Sequence, residues 1–178
     1  MKRLIISLLF FVTVSFATVI NVPSDYPTIQ LGVNYASNGD TVLVADGVYT
    51  ETDISWSGKH ITVMSANGPE NCIFISDHEV FEFAESDGVD ETDIISGFTF
   101  KDMNTQHVIF FHGDVLVSID NCIFSNIVTS NGVIHLNSLN YSVGGVNISN
   151  CKFLNNVGRA INSSEVGTIE SYIDNCLF

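Results

Sequence analysis

A hexapeptide motif recurs along the chain and constrains the fold more than any other feature. It reads IDNCIF at residues 119–124 and IDNCLF at 173–178, with related copies at 69–74 (PENCIF), 95–100 (ISGFTF) and 148–153 (ISNCKF). The copies all end in phenylalanine and follow one another at nearly regular intervals. Their period, about 25 residues, is typical of a solenoid in which each repeat forms one coil.

The columns of this repeat indicate strands stacked as a parallel β-helix. Apolar residues alternate within the motif, which is a strand pattern, and no helical periodicity follows residue 40. The third column holds Asn or Gly, the residues that best tolerate a tight bend at positive φ. Stacked coils would place the Phe and Cys columns inside and let the Asn column hydrogen-bond between coils. The predicted structural ladder comprises Asn71, Asn121, Asn150, Asn175, Cys72, Cys122, Cys151, Cys176, Phe74, Phe100, Phe124, Phe153 and Phe178.

The four cysteines allow three interpretations. Their place in an apolar column favours a buried stack of small side chains. Metal coordination is one alternative. Disulfides between adjacent coils are the other, because thiols of an exported protein can be oxidised outside the cell.

The N-terminal segment predicts export. Residues 1–17 (MKRLIISLLFFVTVSFA) combine Lys2 and Arg3 with a short apolar run and a small-x-small ending, which is typical of a secretory signal peptide. No later stretch is long and apolar enough to span a bilayer, so the mature chain is predicted to have no transmembrane span. Removing this segment leaves four basic residues against twenty acidic ones, a net charge of −16. Such a charge argues against nucleic acid as a partner.

Residues 18–178 are predicted to form one β-helix domain. Within it, residues 18–40 comprise a strand and a capping helix over residues 28–38, with Ile29, Val33 and Ala36 on one face. Thr28 is the expected N-cap and Gly39 the expected C-terminal stop. A helix across the first coil would shield its edge, as solenoids require. Residues 41–178 then form about five to six coils.

The segment VPSDYPTIQ…GDTVLVADGVYTE resembles the N-terminal segment of pectin methylesterases and other right-handed parallel β-helix proteins of the pectin lyase-like superfamily. The matching residues are TIQ at 28–30, GDTV at 39–42 and GVYTE at 47–51. The resemblance implies a right-handed coil of three parallel sheets, with any active surface on one outer face or its loops. The predicted fold class is therefore all-β, a right-handed single-stranded parallel β-helix with an N-terminal amphipathic helix cap.

The catalytic motifs of these relatives are not found. Motifs like the QDTL, DFIFG and LGRPW of pectin methylesterases are missing, and Arg159 is the only arginine after the signal peptide. No catalytic residue is therefore predicted, and no cofactor except calcium. Asp87, Asp90 and Asp93 in DGVDETD could ligate Ca²⁺, as aspartates do in pectate lyases, although a solvated acidic turn is the alternative. Lys101 is the only nearby basic residue for a lyase reaction.

A second resemblance concerns the surface of the coils. The FxxN and GGA-I/L motifs of polymorphic outer-membrane protein repeats are similar to NCKFLNNVGRAI at residues 150–161 and NCIFSN at 121–126. Two positions depart from these motifs: GRAI at 158–161 has one glycine instead of two, and Ile127 stands where FxxN has Asn. This likeness implies a surface-exposed, adhesive repeat protein.

The predicted function is that of a secreted or cell-surface β-helix module that is adhesive or carbohydrate-binding. Its expected partner is a polysaccharide or a host or neighbouring surface. The alternative is a lyase, esterase or glycoside hydrolase acting on pectin-like or other acidic polysaccharide, with catalytic residues on coils not present here. Because the chain stops on an unpaired copy of the motif, further coils or a C-terminal sorting or anchoring domain are expected beyond Phe178.

Overall fold

The protein is a right-handed parallel β-helix of about five coils, which confirms the predicted fold class. The computed structural model describes residues 17–56, 58–83, 92–113, 116–137, 143–164, 168–169 and 171–178, so the predicted signal peptide lies outside it apart from Ala17. In chain order the elements are β1 (Val19–Val22), α1 (Ile29–Tyr35), β2 (Thr41–Val44), β3 (Gly47–Tyr49), β4 (Thr62–Ser65), β5 (Cys72–Phe74), β6 (Phe81–Phe83), β7 (Ile94–Ser96), β8 (Thr99–Lys101), β9 (Asn104–Thr105), β10 (Ile109–His112), β11 (Leu116–Asp120), β12 (Ile123–Ser125), β13 (Val128–Thr129), β14 (Ile134–Asn137), β15 (Val143–Ser149), β16 (Lys152–Leu154), β17 (Ile161–Ser163), β18 (Thr168–Ile169) and β19 (Tyr172–Asp174).

The strands of successive coils form three long parallel sheets. Sheet 1 has the order β1-β2-β4-β7-β11-β15-β18, with β19 also paired to β15. Sheet 2 has the order β3-β5-β8-β12-β16, and sheet 3 the order β6-β10-β14-β17. A two-stranded sheet 4, formed by β9 and β13, lies between sheets 2 and 3 along the chain. Within the described residues, no helix has the length and apolarity to cross a membrane.

Strand register aligns equivalent side chains into columns through the core. Ile119 of β11 pairs with Ile95 of β7 and Ile148 of β15, and all three are buried. In sheet 2 the phenyl rings of Phe74, Phe100, Phe124, Phe153 and Phe178 stack with centroids 5.4, 4.9, 4.8 and 5.1 Å apart. Near-parallel coils at the strand spacing force this stacking, and burial of the rings supplies most of the stabilisation.

The bend between sheets 1 and 2 is made by residues in the left-handed backbone conformation, with positive φ. Gly97, Asn121, Asn150 and Asn175 have φ of +78°, +50°, +54° and +49°. Asn71 departs from this prediction, because it has no positive φ and Gly68 (φ +88°) takes the left-handed position instead. Six residues separate β4 from β5 and only two separate β7 from β8, so the longer turn moves the bend.

We expect Asn121→Ala to lower the free energy of unfolding by about 1–2 kcal/mol, because Cβ disfavours the left-handed conformation. Asn121→Gly should lie within about 0.5 kcal/mol of the parent, since glycine adopts this conformation without strain. Urea denaturation of both variants measures the difference. Equal losses in the two variants would show that the asparagine side chain, rather than the bend, matters.

Helix α1 covers the first coil by packing on β1 and β2. Ile29, Gly32 and Val33 are buried there, and a Cβ on Gly32 would lie 3.0 Å from Val22 Cγ2. The Thr28 hydroxyl accepts a hydrogen bond from the Leu31 amide, as expected for an N-cap.

The helix is shorter than the sequence predicts. It ends at Tyr35, because Ala36 already has an extended backbone (φ −66°, ψ 149°). The Asp40 carboxylate accepts hydrogen bonds from the amides of Ser37 and Thr18. These contacts turn the chain into β2 before another helical turn can form.

Candidate functional site

The outer face of sheet 3 carries a cluster of imidazole rings around one phenylalanine. In β10, Ile109 and Phe111 point into the core, so Phe110 and His112 point outward. The Phe110 ring centroid lies 4.1 Å from that of His107, 3.8 Å from His112 and 5.0 Å from His135. We call these three histidines and Phe110 the histidine cluster. The three histidine rings cover Phe110, and this outward-facing residue is only 8% exposed.

Three carboxylates lie beside the histidine cluster. One carboxylate oxygen from each of Asp53, Glu79 and Glu82 lies within 4.8 Å of the other two. The first two come together because the Asp53 amide donates to the Glu79 carbonyl on the next coil. Glu82 is the outward residue of β6, aligned with Phe110 of β10. This carboxylate cluster is the group of described residues that could hold a divalent cation.

Histidines contact two of these carboxylates. His112 Nε2 lies 3.1 Å from Glu82 Oε1, where an imidazole N–H can donate to the carboxylate. His107 Nε2 lies 3.9 Å from Glu79 Oε1, which is too long for a hydrogen bond. Burial lowers the pKa of His107 and, together with the nearby His112, that of His135. Both imidazoles are therefore neutral at pH 7, the form that can ligate a metal.

An open groove of about 590 Å³ runs alongside the carboxylate cluster. Its lining comes from residues 77–79, 104–106 and 128–130, which belong to three consecutive coils. The last two segments are in register because β9 pairs with β13. We call this feature the axial groove. Its lining offers mainly hydroxyl, amide and carboxylate groups, and none of the described lining residues is Lys or Arg. The lining residues are Asp77, His78, Glu79, Asn104, Thr105, Gln106, Val128, Thr129 and Ser130.

A second, smaller groove of about 430 Å³ lies on the outer face of sheet 2. It contains Lys101, the residue considered as a lyase base, and Lys152, together with the apolar Ile73, Ile123 and Leu154. Lys101 is in register with Ser125 on the outer surface of β12. Among the described lining residues, Glu70 is the one carboxylate that accompanies the lysines.

Only one member of the predicted calcium site lies within the described residues. Asp93 is fully buried, and its Oδ1 accepts hydrogen bonds from Trp56 Nε1 (2.8 Å) and the Ile61 amide (3.0 Å). Its Oδ2 lies 3.3 Å from His60 Nδ1. Asp87 and Asp90 lie outside the described residues, so the calcium site stays a prediction, with one carboxylate already engaged by protein donors.

The cysteine column consists of free thiols. Cys72, Cys122 and Cys151 are buried, and burial raises the pKa of Cys72 to about 12. The Cys122 amide donates to Cys151 Sγ at 3.4 Å, and hydrogen bonding from Cys122 lowers the pKa of Cys151. These thiols are packing groups, and Cys72 in particular is unreactive at neutral pH.

The asparagine column makes a short hydrogen-bonded ladder on the outside of the bend. Asn175 Nδ2 donates to Asn150 Oδ1 at 2.6 Å, and Asn150 Nδ2 donates to Asp120 Oδ1 at 2.8 Å. The Ser149 hydroxyl donates to the same Asp120 oxygen at 2.7 Å. Asp120 therefore ties adjacent coils together.

The carboxylate and histidine clusters contain residues that the motif alignment overlooks. Asp53, Glu79, His107 and His135 follow one another at intervals close to the coil period. That spacing is the feature of the sequence that could have predicted their proximity on adjacent coils. It is weak, because these residues lie mostly in turns and their identity changes from one coil to the next.

Comparison with protein-family models finds no match, and a search of curated proteins finds none that is similar to this chain. The β-helix assignment therefore stands on strand pairing and register alone.

Proposed function

We propose that this protein is an exported, cell-surface carbohydrate-binding module of the pectin lyase-like type, and that the axial groove holds the glycan. The observation that carries the proposal is the groove itself, which crosses three coils and is lined by hydroxyl and amide side chains. Export is supported by the signal-peptide pattern of residues 1–17. The opening segment's resemblance to exported β-helix proteins supports the same assignment.

The groove suits a linear chain of sugars. Coils stack about 4.8 Å apart, so its three segments span roughly 10 Å along the solenoid axis, a length on the order of a disaccharide. Asn104 with Gln106 and Thr105 with Ser130 offer donors and acceptors to sugar hydroxyls. Thr105 and Thr129 are in register, so a glycan that extends along the solenoid axis could meet a threonine on each of two successive coils.

Charge narrows the class of glycan. Asp77 and Glu79 line the groove, none of its described lining residues is Lys or Arg, and the mature chain carries a charge of −16. A uronate polymer would bring further negative charge to this surface and be repelled. The proposed ligand is therefore a neutral or amino-sugar polysaccharide, rather than the pectin-like substrate of the enzymatic alternative.

Binding of soluble β-glucan, chitosan oligosaccharides and polygalacturonate can be compared by affinity electrophoresis and calorimetry. We expect β-glucan or chitosan to bind and polygalacturonate not to bind. Ser130→Trp, which fills the groove, should weaken binding at least about tenfold, equivalent to ~1.4 kcal/mol. Ser125→Trp on the outer face of sheet 2 is the matched control and should bind like the parent.

Three outcomes would count against this assignment. Equal weakening by both tryptophans would place the glycan elsewhere, and no binding to any of the glycans would remove the proposal. Release of new reducing ends or unsaturated products from polygalacturonate would instead support the lyase, esterase or hydrolase alternative.

A further inference from the structure

We propose that Asp53, Glu79 and Glu82 form, together with His107, a binding site for one divalent first-row transition-metal ion such as Mn²⁺. The site lies at the rim of the axial groove, on the outer surface where sheet 3 begins. It does not rest on the proposed glycan function, because metal binding can be measured with no glycan present.

The three carboxylates are close enough to share one ion. Their nearest oxygens lie within 4.8 Å of one another, whereas neighbouring ligand atoms about 2.1 Å from a common octahedral ion lie about 3 Å apart. Movements of about 1 Å by each side chain would close this gap. Asp53 is exposed and Glu79 and Glu82 are half-buried, so all three side chains have room to rotate.

His107 supplies the observation that separates this cluster from an ordinary acidic surface. Its side chain is only 6% exposed and its Nε2 points at Glu79 Oε1 from 3.9 Å. Its Nδ1 is buried and has no hydrogen-bond partner among the described residues. A buried imidazole without hydrogen bonds is destabilising, because its polar atoms lose water without gaining a protein partner. A cation held between Nε2 and Glu79 would give Nε2 a partner.

The mixed donor set indicates the class of metal. Imidazole nitrogen favours transition metals over Ca²⁺ and Mg²⁺, while carboxylate oxygens suit Mn²⁺ among them. His112 Nε2 lies 3.1 Å from Glu82 Oε1, and an N–H donated there would orient that carboxylate as outer-shell partners of metal ligands do. The buried thiols lie in the cysteine column beside sheet 2, so they do not contribute to this site.

Calorimetry and pulsed electron paramagnetic resonance with Mn²⁺ test the proposal. We expect one Mn²⁺ to bind and to show nitrogen coupling from a coordinated imidazole. Asp53→Asn should weaken binding at least about tenfold, and asparagine suits the left-handed backbone of this residue (φ +56°), so the fold is kept. His107→Gln should abolish the nitrogen coupling. Glu70→Gln, an equal charge change in the sheet 2 groove, is the matched control and should bind Mn²⁺ like the parent.

Each other result overturns the proposal. Absence of a bound Mn²⁺ removes the site. Binding that is equally strong in Asp53→Asn and Glu70→Gln would show a diffuse acidic surface. Bound Mn²⁺ without nitrogen coupling in the parent, or with coupling retained in His107→Gln, would exclude His107 as a ligand. Circular dichroism of each variant confirms that a loss of binding does not come from unfolding.

Discussion

Replacing Phe124 by alanine is expected to lower the free energy of unfolding by about 3–5 kcal/mol, which is a large part of the stability of a single domain. The ring is fully buried and stacks between Phe100 and Phe153 at 4.9 and 4.8 Å. Alanine would lose both ring contacts and leave a cavity that the rigid coil spacing prevents from collapsing. Urea denaturation followed by circular dichroism measures the loss.

Phe178 provides the matched control within the same column. Its ring stacks on Phe153 at 5.1 Å, but 63% of its surface is exposed. Phe178→Ala should therefore cost less than about 1 kcal/mol, because little apolar surface is removed from burial. Similar losses in the two variants would contradict the view that burial, and not ring stacking as such, stabilises this column.

Replacing Asp93 by alanine is expected to cost about 2–4 kcal/mol. The buried carboxylate ties the start of its own coil to the preceding turn of the chain, since it accepts hydrogen bonds from Trp56 and Ile61. Alanine would leave the indole N–H and the Ile61 amide buried without that acceptor. Trp56 is the only tryptophan in the chain, so its fluorescence follows the unfolding directly.

Asp93→Asn separates hydrogen bonding from charge. One oxygen, Oδ1, accepts both hydrogen bonds, and an amide oxygen can take its place. The asparagine variant should therefore keep most of the stability that the alanine variant loses. If both variants lose the same stability, the negative charge, or a cation bound to it, is the stabilising factor. A rise in melting temperature on adding Ca²⁺ that vanishes in Asp93→Asn would favour the predicted calcium site.

The sequence was sufficient to predict which side chains fill the interior of the solenoid. A strand motif that recurs once in every coil specifies which side chains point inward, and parallel stacking then aligns them. Ile119 is in register with Ile95 and Ile148, as the motif alignment requires. This inference succeeds because inward-facing positions have one environment, the apolar core, on every coil.

Turn geometry was predictable only where the turn length is constant. Asn121 and Asn150 make the bend that their residue type indicates, but Asn71 does not, because four extra residues precede it in the turn. Helix α1 stops before its amphipathic pattern ends, since the Asp40 carboxylate binds the amide of Ser37. In both places a contact or an insertion outweighs the local preference.

The repeat in the sequence specifies the coil, its period and the columns of side chains that fill it. Which outward-facing groups meet depends on how the coils are paired in the folded chain. Asp53 and Glu79 lie in turns before sheet 3, while Glu82 is on a strand, and His107 comes from the following coil. Because turns differ in length from coil to coil, the sequence interval between two such residues does not fix their distance. Backbone pairing between coils does, and it brings three carboxylates and a buried imidazole to the edge of one groove.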